Sequence, residues 1–247
     1  MENRVVLITG GGRGIGRGIT DRFVEKGAQV FICGRNEPED LKESVTFLPC
    51  DVRDADAVAS MVETIAKKAG RLDVVVNNAG GAPFAEAATA SPRFSEKIIQ
   101  LNLIAALHVS QFANKVMQGQ DDGGVIINVA SVSGTRASPG TAAYGAAKAG
   151  LLNLTASLAV EWAPKVRVVA VTAGLIRTEQ AHLHYGDEEG IARVAATVPM
   201  GRMGTPEDVA NACLFLASPM ASYISGSSIT LDGAGERPAF LDAAADA

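Results

Sequence analysis

Apolar, largely β-branched runs recur along the chain at 4–9, 28–33, 45–50, 72–77, 124–130, 166–171 and 227–232. Between most of them lie amphipathic stretches of ten or more residues, at 15–26, 54–69, 95–118, 142–163 and 206–217. A strand that reads as an unbroken hydrophobic run is buried on both faces, and strands that alternate with helices require crossover connections. The pattern therefore predicts an α/β chain with a doubly wound, parallel, seven-stranded sheet and helices on both faces. In such sheets ligands bind just beyond the carboxyl ends of the strands, which is where the chemistry is expected.

Length and composition narrow this further. The 247 residues suit one domain covering 1–247, and no internal repeat, linker or composition break divides them. With 47% hydrophobic and 20% charged residues and a net charge of −5, the chain has no basic excess to attract nucleic acid or anionic lipid. It shows neither a secretory leader nor an 18-residue apolar run, so a cytoplasmic protein with no membrane segment is expected. Cys33, Cys50 and Cys213 are widely spaced in apolar surroundings and read as buried reduced thiols, with no metal site implied. The closing stretch, about 236–247, reads as a frayed acidic tail or, alternatively, as a flap over a neighbouring subunit.

The first strand runs directly into "TGGGRGIG", with Gly10, Gly12, Gly14 and Gly16 ahead of a helix starting near Ile15. Glycines let the backbone turn tightly and approach a pyrophosphate, while the free N–H groups and dipole of the helix start favour its charge. A glycine cluster placed between strand and helix predicts a dinucleotide site of the Rossmann kind. The second strand ends where an acidic side chain would hold a ribose 2′-hydroxyl, yet the slot holds Gly34 followed by Arg35. With Arg13, two guanidinium groups could meet a 2′-phosphate, which favours NADP(H) and leaves NAD(H) possible. Glu37, Glu39 and Asp40 follow closely and would oppose a phosphate if turned inward.

Several ordered motifs now carry a resemblance: "TGxxxGxG" at 9–16, "CDV" at 50–52, "NNAG" at 77–80, Asn102, Ser131, and Tyr144-x-x-x-Lys148 thirteen residues after that serine. The chain resembles the short-chain dehydrogenase/reductase family in its compact form over essentially its whole length. Its closing half, with "PMGRMGTPEDVANACLFLAS" and "YISGSSITLDGA", looks most like the 3-oxoacyl-carrier-protein reductases.

The Tyr144–Lys148 spacing puts a phenol and an ammonium on one helix face. An ordinary tyrosine ionises at about pH 10, and a cation one turn away favours the phenolate, so Lys148 is expected to lower Tyr144. The resemblance implies that Tyr144 is general acid in reduction and general base in oxidation, and that Ser131 polarises the substrate oxygen. Lys148 would hold the nicotinamide ribose and Asn102 a proton-replacing water chain. It also implies adenine-side contacts from Asp51 and Val52, dinucleotide contacts from Asn77, Ala79 and Gly80, and carboxamide contacts from Ile176 and Thr178. Small residues Ala142, Gly145 and Ala146 are expected to keep the helix face open. Ala173 stands where the family has proline, which predicts a looser following loop.

The substrate is expected to be a small carbonyl compound or alcohol, with an acyl thioester among the possibilities, selected by about 179–204 with help from 80–87 and 133–140. His182, His184 and Tyr185 lie in the first of these, and the histidines do not make a metal site. Docking of an acidic acyl carrier protein would need a basic strip, for which Arg136, Arg177, Arg193 and Arg202 are candidates. The helix at 142–163 is apolar around most of its circumference, which calls for a further cover. By resemblance that cover is a second subunit, giving a homodimer or homotetramer.

Overall fold

The computed structural model describes residues 1–244. The seven apolar runs become β1 (Val5–Thr9), β2 (Gln29–Gly34), β3 (Val45–Pro49), β4 (Val74–Asn77), β5 (Gly124–Ser131), β6 (Val166–Ala173) and β7 (Ser228–Leu231). They form one sheet in the order β3-β2-β1-β4-β5-β6-β7, and each neighbouring pair is parallel. Helices α1 (Gly14–Glu25), α2 (Ala55–Ala69), α3 (Pro92–Ile99), α4 (Ala105–Gln118) and α5 (Ala142–Trp162) supply the crossovers in the first two thirds of the chain. Beyond β6 come α6 (His182–Tyr185), α7 (Glu188–Ala196), α8 (Pro206–Ala217) and α9 (Ala239–Ala244).

Alternation along the strands splits the core into two layers. Val5 and Leu7 of β1 face one way with Val75 and Ile126, against α2, α4 and α5. Val6 and Ile8 face the other way with Ile32, Val76 and Ile127, against α1 and α8. Each such fully buried aliphatic side chain contributes about 1.5–3 kcal/mol. At the amino end of the sheet, the Asp73 carboxylate accepts the Val5 N–H at 2.7 Å and pairs with Arg4 at 2.9 Å and with Arg71, tying β4 to β1. The opposite end, where β1 and β4 part towards separate halves of the sheet, is the switch point.

Three expectations are revised. The helix read at 95–118 is an α3–α4 run interrupted by a π-turn at Gln100–Ile104. It starts earlier than its apolar pattern because the Ser91 hydroxyl caps the Phe94 N–H and Pro92 occupies the first turn. The segment at about 179–204, where the pattern predicts no helix, carries α6 and α7. The beginning of the tail is folded back: Arg237 N–H reaches the Thr197 carbonyl at 3.1 Å, and Glu236 pairs with Arg136. Residues 245–247 of that tail lie outside the described residues.

Candidate active site

β1 delivers the chain to Gly10, whose φ of +64° is a left-handed conformation that favours glycine. A Cβ on Gly16 would stand 2.1 Å from the Gly10 carbonyl oxygen, so only glycine lets α1 start this close to the strand. The Thr20 hydroxyl donates to the Gly11 carbonyl at 2.9 Å, and Pro38 lies against Gly12. Asn78 completes the clamp by donating Nδ2 to the carbonyls of Thr9 at 3.0 Å and Gly10 at 3.2 Å. The Thr9 hydroxyl in turn accepts the N–H groups of Asn78 and Ala79, both at 3.0 Å. Sequence reading passed over Asn78 because two adjacent asparagines give no hint of which one faces the loop.

The first turn of α1 contains no acidic residue, and Arg13 at its cap makes no side-chain capping bond. Its own segment supplies these amides with no acceptor, Glu179 holds the Gly14 N–H at 3.0 Å, and the cluster of donors fits a dinucleotide pyrophosphate. Arg13 and Arg35 are exposed, and neither forms a salt bridge among the described residues. Asp40, a feared competitor, is held by Arg17 at 3.0 Å. Asp51 accepts from Arg53 at 2.9 Å, and that bond, with the nearby Arg35 charge, holds its carboxyl below the usual range against the opposing effect of burial. Val52 is buried, and with Thr9, Asn77 and Ala79 it lines a pocket of about 10 Å³ under the switch point. Ile15 is half-buried and packs on the α1–α8 layer.

Asn77 was expected beside the dinucleotide, but its side chain points into the protein. As the last residue of β4, it donates to Asn128 Oδ1 at 2.8 Å and Ser110 Oγ at 2.9 Å, and Asn128 continues to Thr155 at 2.9 Å. Its own Oδ1 accepts no hydrogen bond. Ile176 is likewise buried in the core, and its side chain fills the space beside Gly204. Thr178, by contrast, lies against Gly14. Ala173 ends β6 paired with Ser131 on one side and Leu231 on the other, so strand pairing on both flanks fixes the backbone that proline was expected to fix.

The four catalytic candidates converge from three elements. Ser131 ends β5, and its hydroxyl accepts the Ser133 N–H at 3.2 Å and lies close enough to Tyr144 to act on its phenol. On α5, Lys148 sits with Nζ 5.6 Å from the Tyr144 ring centre and donates to the Val129 carbonyl at 2.7 Å. Asn102 lies in the π-turn, a deformation frequent at functional sites. Its side chain grips the glycine turn, accepting the Gly81 N–H at 2.8 Å and donating to the Gly81 carbonyl at 3.0 Å and to Ile98 at 2.9 Å. Gly80 is pinched between Asn102 and Lys148, where a Cβ would stand 2.6 Å from Asn102 Oδ1. The Asn102 side chain is therefore held by protein partners at Gly81 and Ile98.

Two further expectations change here. Burial pushes the Tyr144 phenol above its ordinary value, with the Ser131 hydroxyl opposing the rise and Tyr185 adding to it. Desolvation acts on Lys148 as well, and burial lowers its pKa to about 8. Gly145 does not open the helix face: a Cβ there would meet the Ser133 carbonyl at 2.8 Å, so its smallness lets α5 pack on the turn carrying Ser131. Ala142 and Ala146 are the exposed small residues.

Around this centre the substrate segment closes on itself. His182 Nδ1 contacts the Glu179 carbonyl at 3.1 Å, and Thr178, His182, Ile191 and Pro206 line a cleft of about 370 Å³ beside the segment. All four arginines considered for a basic strip are paired: Arg136 with Glu236, Arg177 with Glu188 at 2.8 Å, Arg193 with Glu189 at 3.7 Å and Arg202 with Asp208 at 2.7 Å. No unopposed cationic strip results from them.

A family model described as enoyl-(acyl carrier protein) reductase matches residues 10–234. A probable 2,4-dienoyl-CoA reductase of Bacillus subtilis is 39% identical, over 94% of this chain and 96% of that protein. A 3alpha-hydroxysteroid dehydrogenase of Mediterraneibacter gnavus is 37% identical, over 95% and 97%. A 3-oxoacyl-acyl-carrier-protein reductase of Thermotoga maritima is 36% identical, over 94% and 98%. The solved structure of the ligand-free aldohexose dehydrogenase of Thermoplasma acidophilum superposes with a TM-score of 0.90 at 33% identity, covering 94% of each chain. The chain belongs to the short-chain dehydrogenase/reductase family and is an NAD(P)(H)-dependent oxidoreductase of CH–OH and C=O groups.

Proposed function

We propose that this member of the short-chain dehydrogenase/reductase family uses NADPH to reduce a ketone to a secondary alcohol on a 3-oxoacyl-thioester-like substrate. The carrying observation is that Arg13 and Arg35 are exposed and in no salt bridge among the described residues, with Gly34 in the slot of an acidic side chain and Asp40 taken by Arg17. Two arginines free of salt bridges suit a 2′-phosphate. Acyl thioesters are favoured because two of the relatives above are named for acyl-CoA and acyl-carrier-protein substrates.

In this reading Gly10, Gly12, Gly14 and Gly16 cradle the pyrophosphate, Arg13 and Arg35 the 2′-phosphate, and Asp51 and Val52 border the adenine. Ala79, Gly80, Lys148 and Thr178 border the nicotinamide half. The bound nicotinamide supplies the hydride. Ser131 and Tyr144 hold the substrate carbonyl oxygen between two hydroxyls, and Tyr144 Oη donates its proton to the developing alkoxide. A phenol kept protonated by burial suits the acid role. Lys148, fixed by Val129, orients the ribose and stabilises the phenolate left on Tyr144. Asn102 keeps Gly80 and Gly81 against Lys148 as a positioning residue.

A second reading is NAD-dependent oxidation of a hydroxyacyl-CoA, steroid or other secondary alcohol. It is favoured by the paired state of Arg136, Arg177, Arg193 and Arg202, which leaves no free basic strip for an acidic carrier, and by the hydroxysteroid dehydrogenase relative. A non-catalytic NADP(H) sensor is disfavoured by the retention of all four catalytic candidates. The 82% exposure of Val160 on α5 and the half-buried Leu152 support association into a homodimer or homotetramer. Three buried, unbridged cysteines support a cytoplasmic setting.

Paired titrations with NADPH and NADH, followed by cofactor-oxidation assays with acetoacetyl-CoA, test the proposal. Preference for NADPH that is lost in Arg35→Ala, with turnover abolished in Tyr144→Phe, is the expected result. Preference for NADH without ketone turnover would transfer the assignment to alcohol oxidation.

A further inference from the structure

The amides at the start of α1, left uncapped by their own segment, have a partner from far along the chain. Glu179 Oε1 accepts the Gly14 N–H at 3.0 Å across 165 residues of sequence, and the neighbouring Thr178 packs on the same glycine. Glu179 lies where the substrate segment leaves β6. We propose that Glu179 is a built-in competitor for the cofactor pyrophosphate, so that dinucleotide binding displaces its carboxylate and frees the substrate segment to move. This rests on the reading of the glycine loop as the dinucleotide site.

The physical case has three parts. A helix N-terminus carries a partial positive charge and free donors that one anion can satisfy, and a carboxylate and a phosphate compete for them. Two anions in the same place repel, so the pyrophosphate and the Glu179 carboxylate exclude one another. The segment is also built to move as a piece. On its upstream side it is anchored by the Ile176–Gly204 bridge, the Arg177 N–H on the Gly204 carbonyl at 2.8 Å and the Arg177–Glu188 pair. On its downstream side is Gly186, with φ of +79° and open space around its α-carbon, a position able to absorb a swing.

Such a swing reaches the catalytic centre. Tyr185, the last residue of α6, is close enough to Tyr144 to raise its pKa, and it feels the charges of Arg136 and Glu236. Release of Glu179 by the cofactor would thus reposition the wall of the substrate pocket, so that the dinucleotide prepares the site for the second substrate.

The test is calorimetric titration of the full chain and its Glu179→Gln variant with NADPH, NADH and adenosine 2′-monophosphate, which has no pyrophosphate. Removing the competing charge should tighten both dinucleotides by about two- to fivefold and leave the mononucleotide unchanged. Hydrogen exchange over 178–186 should rise in the wild-type chain when NADPH saturates it and should already be raised in the free variant. Equal dinucleotide affinities, weaker binding by the variant, or equal tightening of the mononucleotide would each overturn the competitor role while leaving the cofactor site standing. If the wild-type chain binds neither dinucleotide, the glycine-loop reading itself fails and the competitor role falls with it.

Discussion

Lys148 donates its buried ammonium to the Val129 carbonyl at 2.7 Å, two residues ahead of Ser131 on the same strand. One hydrogen bond thereby sets the register between α5, which carries Tyr144, and β5, which carries Ser131. It also keeps a cation where only 4% of the residue is exposed. Burial holds Lys148 at about 8, below the ordinary lysine value.

The native state therefore binds this proton less tightly than the unfolded chain does. The resulting stability cost is full below about pH 8 and is relieved as pH rises towards the ordinary lysine value of about 10.4. Lys148→Met should abolish turnover at pH 7 yet leave the melting temperature equal or higher, with the gap closing in alkaline buffer. A fall of several degrees would mean that the Val129 bond outweighs the desolvation. Ketone reduction by the wild-type chain should also decline above about pH 8 as the ammonium is lost.

Asn78 and Asn77 should separate cleanly despite being adjacent. Asn78→Ala removes the clamp on Thr9 and Gly10, and NADPH binding should weaken by about tenfold with kcat little changed. Asn77→Ala breaks the buried Ser110 and Asn128 contacts, and should cost about 1–3 kcal/mol of stability in denaturant titration. If both variants lose only cofactor affinity, the assignment of Asn77 to the core is wrong.

The start of α8 carries a reciprocal cap, in which Asp208 accepts the Thr205 N–H at 2.8 Å and Thr205 Oγ accepts the Asp208 N–H at 3.3 Å. Arg202 beside it, with the Thr205 donors, lowers the Asp208 carboxyl to about 2 against opposing desolvation. That stability is present in full above the ordinary aspartate value of about 3.9 and is lost as pH falls through about 2. Asp208→Asn should cost about 1 kcal/mol at neutral pH, measured by thermal unfolding, and the difference from wild type should vanish in strong acid.

At the end of the sheet remote from the site, burial alone would raise the Asp73 carboxyl, but Arg71, the Val5 N–H and Arg4 more than offset it and hold it low. Asp73→Ala leaves those donors unpaired and should cost about 3 kcal/mol in chemical denaturation. Turnover per folded molecule should not change, and a selective loss of activity would contradict a purely structural role.

Local pattern is enough to declare the sheet, the crossover helices, the glycine loop and the order of Asn102, Ser131, Tyr144 and Lys148. Hydrophobic periodicity is local, and a helix or strand is declared by residues a few positions apart. Spacing on one helix likewise declares Tyr144 and Lys148 neighbours without further information. Only the closed fold decides which of two adjacent asparagines faces the glycine loop, because alternation along β4 is anchored by partners 33 and 51 residues away. It decided that Gly145 is a packing surface, that four arginines are matched by acids, and that Tyr144 lies above its ordinary pKa. It also brought Glu179 to Gly14. Each of these depends on contacts between segments that no local pattern relates, and on desolvation, which exists only once the chain has closed around the group.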